Sequence, residues 1–346
     1  MIEKINLKNI RRFSELNLTI DNKNVLLIGP NAKGKTTILE AIMLASIVKS
    51  HRTNNLKEVI KTGTNFGEIK IDSTKKYRLI LTEEGKKVFI NNAPYPRLSE
   101  YIGNLYTVFF SPSDLSIVTS SPITRRNFLN QEISQIKPRY LKCLNEYNKL
   151  LLERNNYLKL DFKQQNQAIF DVLTQEVIDV GLKLIKAREA FILEINKNLN
   201  RYYQFLANDE TLEIKYLPSV NSNDYAKTMV EKMKFDLLKQ TTSLGPHRDD
   251  FCFILNNADA HKYASQGQIR SIVLALKLTI CKIIKEYKKE DPILLLDDVL
   301  SELDSSRQKK LLHLINDLGQ TFISSTDTIG IEASVLKTYQ IIELKE

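Results

Sequence analysis

Gly29-Pro30-Asn31-Ala32-Lys33-Gly34-Lys35-Thr36 lies between an apolar run, Val25-Leu26-Leu27-Ile28, and an amphipathic stretch in which Ile38, Leu39, Ile42 and Ala45 recur at helical spacing. The order is strand, loop, helix. In that setting G-x-x-x-x-G-K-[ST] is a phosphate cradle, because loop N–H groups turn inward on phosphate oxygens and the helix N-terminus adds a favourable field. Lys35 is placed to meet the β and γ phosphates, and the Thr36 hydroxyl to ligate Mg²⁺. The segment from Gly29 to Thr37 (Gly29, Pro30, Asn31, Ala32, Lys33, Gly34, Lys35, Thr36, Thr37) reads as a nucleoside triphosphate site.

The 346 residues suffice for two or three domains, or for one nucleotide-binding core with a large insertion. A formal charge of +9 favours a polyanionic partner. Cys143, Cys252 and Cys281 are far apart and lack C-x-x-C spacing, so no disulfide framework or zinc site is readable and a reduced, cytoplasmic protein is expected. Met1 to Asn6 carries no apolar leader core. The longest apolar helical stretch, near Ser271 to Ile284, is interrupted by Lys277 and Lys282, so no membrane span is expected.

Short strand-like runs at Glu68 to Ile71, Tyr77 to Thr82 and Lys87 to Ile90, with turn signals at Glu84-Gly85 and Asn91-Asn92, predict an antiparallel hairpin sheet. From about Ile123 to Lys239 the chain is poor in glycine and proline, and Leu141, Leu144, Tyr147 and Leu151 recur at three- and four-residue steps. That block reads as helical, without the sustained heptads of a long coiled coil. Pro292-Ile293-Leu294-Leu295-Leu296-Asp297-Asp298 then describes a buried parallel strand delivering acids at its C-terminal tip, where ligands gather in open α/β sheets. Asp297 is the expected Mg²⁺ holder. Asp298 is placed to orient or deprotonate an attacking water, so Asp298 and Lys35 are the expected catalytic residues.

Tyr263-Ala264-Ser265-Gln266-Gly267-Gln268 opens a helix, and Ser301-Glu302-Leu303-Asp304 follows the acidic strand. With the phosphate loop and the acidic strand, these resemble the four elements of an ATP-binding-cassette (ABC) ATPase: phosphate loop, S-x-G-Q signature, acidic strand and D-loop. Leu244-Gly245-Pro246-His247-Arg248-Asp249-Asp250, Phe109 to Leu115, Pro122 to Leu129, Asn9-Ile10-Arg11 and Ser50-His51-Arg52-Thr53 narrow the match. They resemble signatures of the RecF family of bacterial DNA-repair ATPases, over nearly the whole chain and most weakly from about Lys137 to Lys239.

The resemblance implies an α/β fold: an ABC-type ATPase head, a mixed sheet with an antiparallel N-terminal hairpin part, built from residues 1–115 and 241–346. A compact helical lobe over 116–240 is inserted between them. It implies an ATP-dependent homodimer in which Ser265, Gly267 and Gln268 of one chain cap the nucleotide of the other. It also implies binding to duplex, gapped or junction DNA, and work with RecR and RecO to place RecA on single strands. Three departures stand out. Ala32 replaces a usual glycine and is expected to keep out of the positive-φ region; Thr37 replaces a common asparagine; and Ile269 interrupts a usual Gln-Gln-Arg run. The acidic strand ends Asp-Asp rather than Asp-Glu, and the shorter Asp298 implies slow hydrolysis suited to a switch. No histidine follows Phe322-Ile323-Ser324-Ser325 at the usual switch position, where Thr326 is the substitute.

Arg125, Arg126, Lys137, Arg139 and Lys142 form a basic cluster suited to sequence-independent phosphate contacts, and Arg125, Arg126, Arg139 and Lys142 are the candidate DNA-binding residues. Arg11 and Arg12 form a second basic pair, and service of Arg11 and Arg52 to the nucleotide stays an alternative. The aromatic residues are not interleaved with the basic ones as a stacking platform requires, which favours duplex or junction DNA. An ABC transporter subunit shares the cassette elements but lacks so long a helical insertion. A chromosome-organising SMC ATPase needs long coiled coils absent here.

Overall fold

The computed structural model describes residues 1–207, 209–316, 318–328 and 333–344, with the backbone alone at 162, 302, 333 and 334. Two compact units divide the chain: residues 1–115, 201–210 and 265–346 form the first, and residues 116–200 and 211–264 the second.

The first unit holds two sheets. In chain order its early strands are β1 (Lys4–Ile10), β2 (Phe13–Thr19), β3 (Asn24–Ile28), β4 (Phe66–Asp72), β5 (Lys76–Thr82), β6 (Gly85–Ile90), β7 (Ala93–Tyr95) and β8 (Thr107–Phe110). The second unit contributes β9 (Leu212–Leu217), β10 (Asp250–Leu255) and β11 (Ala258–Asp259). The first unit then closes with β12 (Ile293–Leu296), β13 (Thr321–Ser325) and β14 (Gln340–Glu343).

An antiparallel sheet of order β2-β1-β4-β5-β6-β7 fulfils the expected hairpins. Its strands alternate, with Ile5 and Leu7, Ile69 and Ile71, and Tyr77, Leu79 and Leu81 buried on one face, as a sheet with one solvated face requires. The second sheet, order β14-β3-β13-β12-β8, is parallel throughout. Every residue of β8, β12 and β13 is buried, which accounts for the unbroken apolar run of β12. The helix Lys35–Ile47 shares one hydrophobic core with both sheets: Ile38, Leu39 and Ile42 pack with Ile5, Ile69, Val25, Leu295 and Phe322. Its burial on nearly all sides leaves only its N-terminal turn facing the ends of the parallel strands.

In the second unit the helices Pro122–Ile136 and Pro138–Tyr157 are separated at Lys137, because Pro138 supplies no N–H and disfavours helical geometry in the residue before it. The helix Gln167–Ala207 begins here, and its residues 201–207 count with the first unit. The sequence boundary at 240/241 differs from what is observed: residues 241–264 lie in the second unit, which is therefore not wholly helical. The reason is pairing. β10 runs antiparallel to β9 along its full length, from Asp250 opposite Leu217 to Leu255 opposite Leu212, and β11 completes a three-stranded sheet.

Two buried ion pairs organise this unit's interior. Arg154 meets Asp236 at 2.8 Å and Thr242 at 2.7 Å, with both charged side chains fully buried. Asp249 accepts from Arg188 at 3.2 Å, from the Tyr216 hydroxyl, and from the Ser219 N–H at 2.8 Å, so its carboxylate is fully compensated. Gly245, at φ 126°, lies so close to the Tyr147 and Tyr225 hydroxyls that any Cβ would overlap them. The Leu244–Asp250 segment is thus an interior hub of the second unit. Among the described residues no helix is long and apolar enough to cross a membrane.

Candidate functional site

The phosphate loop follows β3 directly. Gly29 (φ 146°) and Gly34 (φ 101°) hold backbone angles that side chains rarely adopt, and a Cβ would strike the Leu344 carbonyl at the first and the Phe13 ring at the second. Ala32 does not keep out of the positive-φ region: it sits at φ 63°, in the left-handed well. That conformation costs an L-residue about 1–2 kcal/mol. Arg12 pins it by donating to the Ala32 carbonyl. Gly34 caps the helix without any side-chain bond, which leaves the first-turn N–H groups to a ligand. Lys35, buried, curls onto the loop and donates to the carbonyls of Gly29 and Pro30. Burial lowers its ammonium pKa, while the facing carboxylates of Asp298 and Asp297 act to raise it.

β12 lies one strand from β3, with β13 between. Its end brings Asp297 under the loop: Oδ1 accepts from Thr36 Oγ1 at 3.0 Å and from Ser324 Oγ at 2.7 Å. Asp298 follows in the left-handed well, φ 53°, and its N–H donates to Ser324 Oγ at 2.9 Å. Its Oδ1 is buried and takes no hydrogen bond among the described residues. Strain of this kind and an unsatisfied buried oxygen are costs that a packing role does not justify, and both gather where ligands bind. The Ser301 hydroxyl donates to the Asp298 carbonyl at 2.8 Å, tying the D-loop to the same turn.

Lys35, Thr36, Asp297, Asp298 and Ser324 line one cleft of about 860 Å³, together with Arg12, His51, Arg52, Ser111 and Ser113. The His51 ring packs on Phe109 at 4.2 Å between centroids. Burial lowers its pKa against the opposing pull of Glu40 and Asp297, so it presents a neutral ring. Arg11 reaches the cleft wall, but its guanidinium is spent on Glu40 (3.1 and 2.8 Å) and on the Glu58 carbonyl (2.8 Å). Burial would raise the Glu40 carboxyl pKa, yet hydrogen bonds from Arg11 and Ser50 hold it below the ordinary range. Ser324, to which the sequence reading gave no role, proves central because it bonds both acids. Thr326 bonds its neighbour Asp327 at 3.2 Å and does not line the cleft.

Ser265, Gly267 and Gln268 lie outside this cleft. Ser265, exposed, caps the helix Gln266–Lys288 through a reciprocal box: its Oγ accepts the Gln268 N–H at 3.3 Å and its own N–H donates to Gln268 Oε1 at 2.8 Å. The Gln268 side chain is therefore committed within the chain rather than free for a nucleotide.

The basic cluster splits. Arg125 is engaged by both oxygens of Asp250 (2.6 and 2.9 Å) and by the Ser120 carbonyl, and Arg126 donates to the Asp249 carbonyl at 2.9 Å. Both brace the second unit internally. Arg139 and Lys142 are exposed on adjacent turns of Pro138–Tyr157.

No group of three or more His, Cys, Asp or Glu side chains suited to a metal occurs among the described residues. Thr36 and Asp297 supply two hard oxygen donors side by side, which fits a Mg²⁺ whose other ligands are phosphate and water.

The profile of the RecF/RecN/SMC N terminal domain matches residues 1–343. A Lactobacillus johnsonii protein named DNA replication and repair protein RecF is 38% identical over 357 residues, covering 98% of this chain and 96% of its own. The chain belongs to the RecF family. A Bacillus cytotoxicus RecF is likewise 38% identical, over 99% of this chain and 96% of its own. Among solved structures, the recombination mediator protein RecF-ATP in the RecFOR pathway aligns with a TM-score of 0.89 at 30% identity, covering 96% of this chain and 93% of that one. An Smc head domain from Pyrococcus furiosus shares the fold at 16% identity and a TM-score of 0.56. The ABC-type ATPase head expected from the cassette motifs is thus the fold of this RecF-family chain.

Proposed function

We propose that this chain is an ATP-gated, DNA-binding switch of DNA repair and replication, acting in the cytoplasm. The observation that carries the reading is the convergence of Lys35, Thr36, Asp297, Asp298 and Ser324 on one cleft while Ser265 stays exposed outside it. Half of a nucleotide site is complete, and the residue expected to cap the nucleotide lies elsewhere on the same chain.

The loop N–H groups and Lys35 bind the phosphates, Lys35 exchanging the Gly29 and Pro30 carbonyls for phosphate oxygens. Thr36 and Asp297 would hold Mg²⁺, which when bound would neutralise phosphate charge. Ser324 keeps Asp297 and the Asp298 backbone in register. The unsatisfied Asp298 Oδ1 accepts a hydrogen bond from the attacking water and orients it, and its short reach makes turnover slow. Ser265 and Gly267 of a second copy meet the γ-phosphate, so ATP joins two chains and its hydrolysis removes contacts made only in the closed state. The dimer grips duplex, gapped or junction DNA through phosphate contacts and acts with RecR- and RecO-type mediators to promote RecA loading. The placement of ATP-bound RecF in the RecFOR pathway supports that assignment.

The test mixes two variants. Lys35→Ala and Ser265→Arg chains should each stay monomeric with ATP and Mg²⁺ in analytical ultracentrifugation. Mixed, they should return a fraction of dimer, because one of the two composite sites is then whole. Full dimerisation of Ser265→Arg alone would overturn the reading.

A further inference from the structure

The Gln268 amide is held at both ends. Its Oε1 accepts the Ser265 N–H at 2.8 Å, and its Nε2 donates to Glu210 Oε1 at 2.6 Å. The other carboxylate oxygen, Glu210 Oε2, accepts from the Tyr203 hydroxyl at 2.7 Å. Tyr203 is fully buried near the end of the helix Gln167–Ala207, and burial together with Glu210 raises its phenol pKa, so it remains a donor.

A side-chain amide has one accepting end and one donating end, whereas a carboxylate only accepts. Glu210 therefore dictates which end of Gln268 faces Ser265. Only with Nε2 toward Glu210 can Oε1 take the Ser265 N–H and complete the reciprocal cap. Ser265 Oγ accepts within that cap, so its O–H proton is left to donate outward, and the residue is exposed. Bonds to an ionised acceptor are shorter and stronger than neutral ones, which suits Glu210 to hold the amide against rotation.

We propose that Glu210 is a positioning residue for the signature cap, setting the Gln268 amide and through it the Ser265 hydroxyl that meets the γ-phosphate on a second copy of the chain. The inference rests on the ATP-gated dimer described above. Because Tyr203 grips the same carboxylate, a shift of that helix end reaches the cap through two hydrogen bonds.

The experiment uses full-length Glu210→Ala, Glu210→Gln, Tyr203→Phe and Ser265→Arg chains with ATP and Mg²⁺. Three quantities are read: ATP affinity of the dilute monomer, melting temperature without nucleotide, and the dimer dissociation constant with ATP. Glu210→Ala should weaken ATP-dependent dimerisation about tenfold, the loss of a charge-assisted bond, with monomer ATP affinity unchanged and only the modest fall in melting temperature that an unpaired Tyr203 hydroxyl brings. Glu210→Gln, which keeps an accepting oxygen for Gln268, should restore most of it, and Tyr203→Phe should cost a few-fold. In a Gln268→Ala background, Glu210→Ala should add nothing. Parental dimerisation by Glu210→Ala while Ser265→Arg stays monomeric would overturn the positioning role and leave the dimer reading standing. Parental dimerisation by Ser265→Arg would overturn both. A melting temperature that falls in step with dimerisation in Glu210→Ala, with Tyr203→Phe behaving as the parent, would assign Glu210 a structural role only and overturn the proposal.

Discussion

Thr36 Oγ1 donates to Asp297 Oδ1 at 3.0 Å across 261 positions of sequence, and the Ser324 hydroxyl shares the same acceptor. The two groups expected to hold a cation are thus already side by side, set by the β3-β13-β12 strand order rather than by any local spacing. Asp297→Asn keeps an accepting oxygen for both hydroxyls but loses the charge. ATP affinity in the presence of Mg²⁺ should fall at least about tenfold, with affinity under chelator unchanged, because a hard dication depends on anionic oxygen. Paired titrations with and without Mg²⁺ check this, and an equal loss in both arms would remove Asp297 from the metal role.

Asp298→Asn should leave ATP binding and ATP-dependent dimerisation in place while turnover falls on the order of 10²-fold, the usual contribution of a positioned base. Phosphate release under saturating ATP measures it. Unchanged turnover would move the water-orienting role to another group on the cleft.

Ala32→Gly should stabilise the chain. The left-handed conformation at φ 63° costs alanine about 1–2 kcal/mol, and glycine escapes that at roughly 0.5–1 kcal/mol of added chain entropy in the unfolded state. The expected net gain is up to about 1.5 kcal/mol in urea unfolding. A clear loss would show that the Ala32 methyl makes contacts worth more than the backbone strain.

The two halves of the basic cluster should separate by phenotype. Arg125→Ala breaks the two-pronged pair with Asp250 and should cost about 2 kcal/mol of stability. Arg139→Ala with Lys142→Ala should leave stability unchanged and, if both meet duplex phosphates, flatten the logarithmic salt dependence of DNA binding by about 1.8. A parental slope in the double variant would place the DNA elsewhere.

His247 gives the second unit an acid limit. Its Nδ1 faces the Tyr147 hydroxyl at 2.7 Å and its Nε2 faces the Thr242 carbonyl at 3.0 Å, and burial pushes its pKa down to about 4. Between that value and the ordinary imidazole pKa of about 6.5 the unfolded chain binds the extra proton. Stability should therefore decline as pH falls through this window, by up to about 1.4 kcal/mol per pH unit. Urea unfolding at pH 7 and pH 4.5 measures it, and His247→Gln should shallow the decline. An unchanged slope in that variant would assign the acid limit to other groups.

The phosphate loop, the acidic strand and the signature helix were legible in the chain itself, because each depends on spacings of a few residues: glycines where the backbone must turn, apolar runs where a strand is buried on both faces, and a serine three positions before a glutamine. Partner choice for a side chain is not local, and there the folded chain had the final word. Ser324 becomes the brace of both acids because β13 lies between β3 and β12. Residues 241–264 leave the ATPase part because β10 finds β9. Arg125 is spent on Asp250, 125 positions away, and Gln268 on Glu210, 58 positions away. Ala32 accepts a left-handed backbone against its own preference because the loop around it, held by Arg12 and by two glycines that admit no side chain, is over-determined by packing.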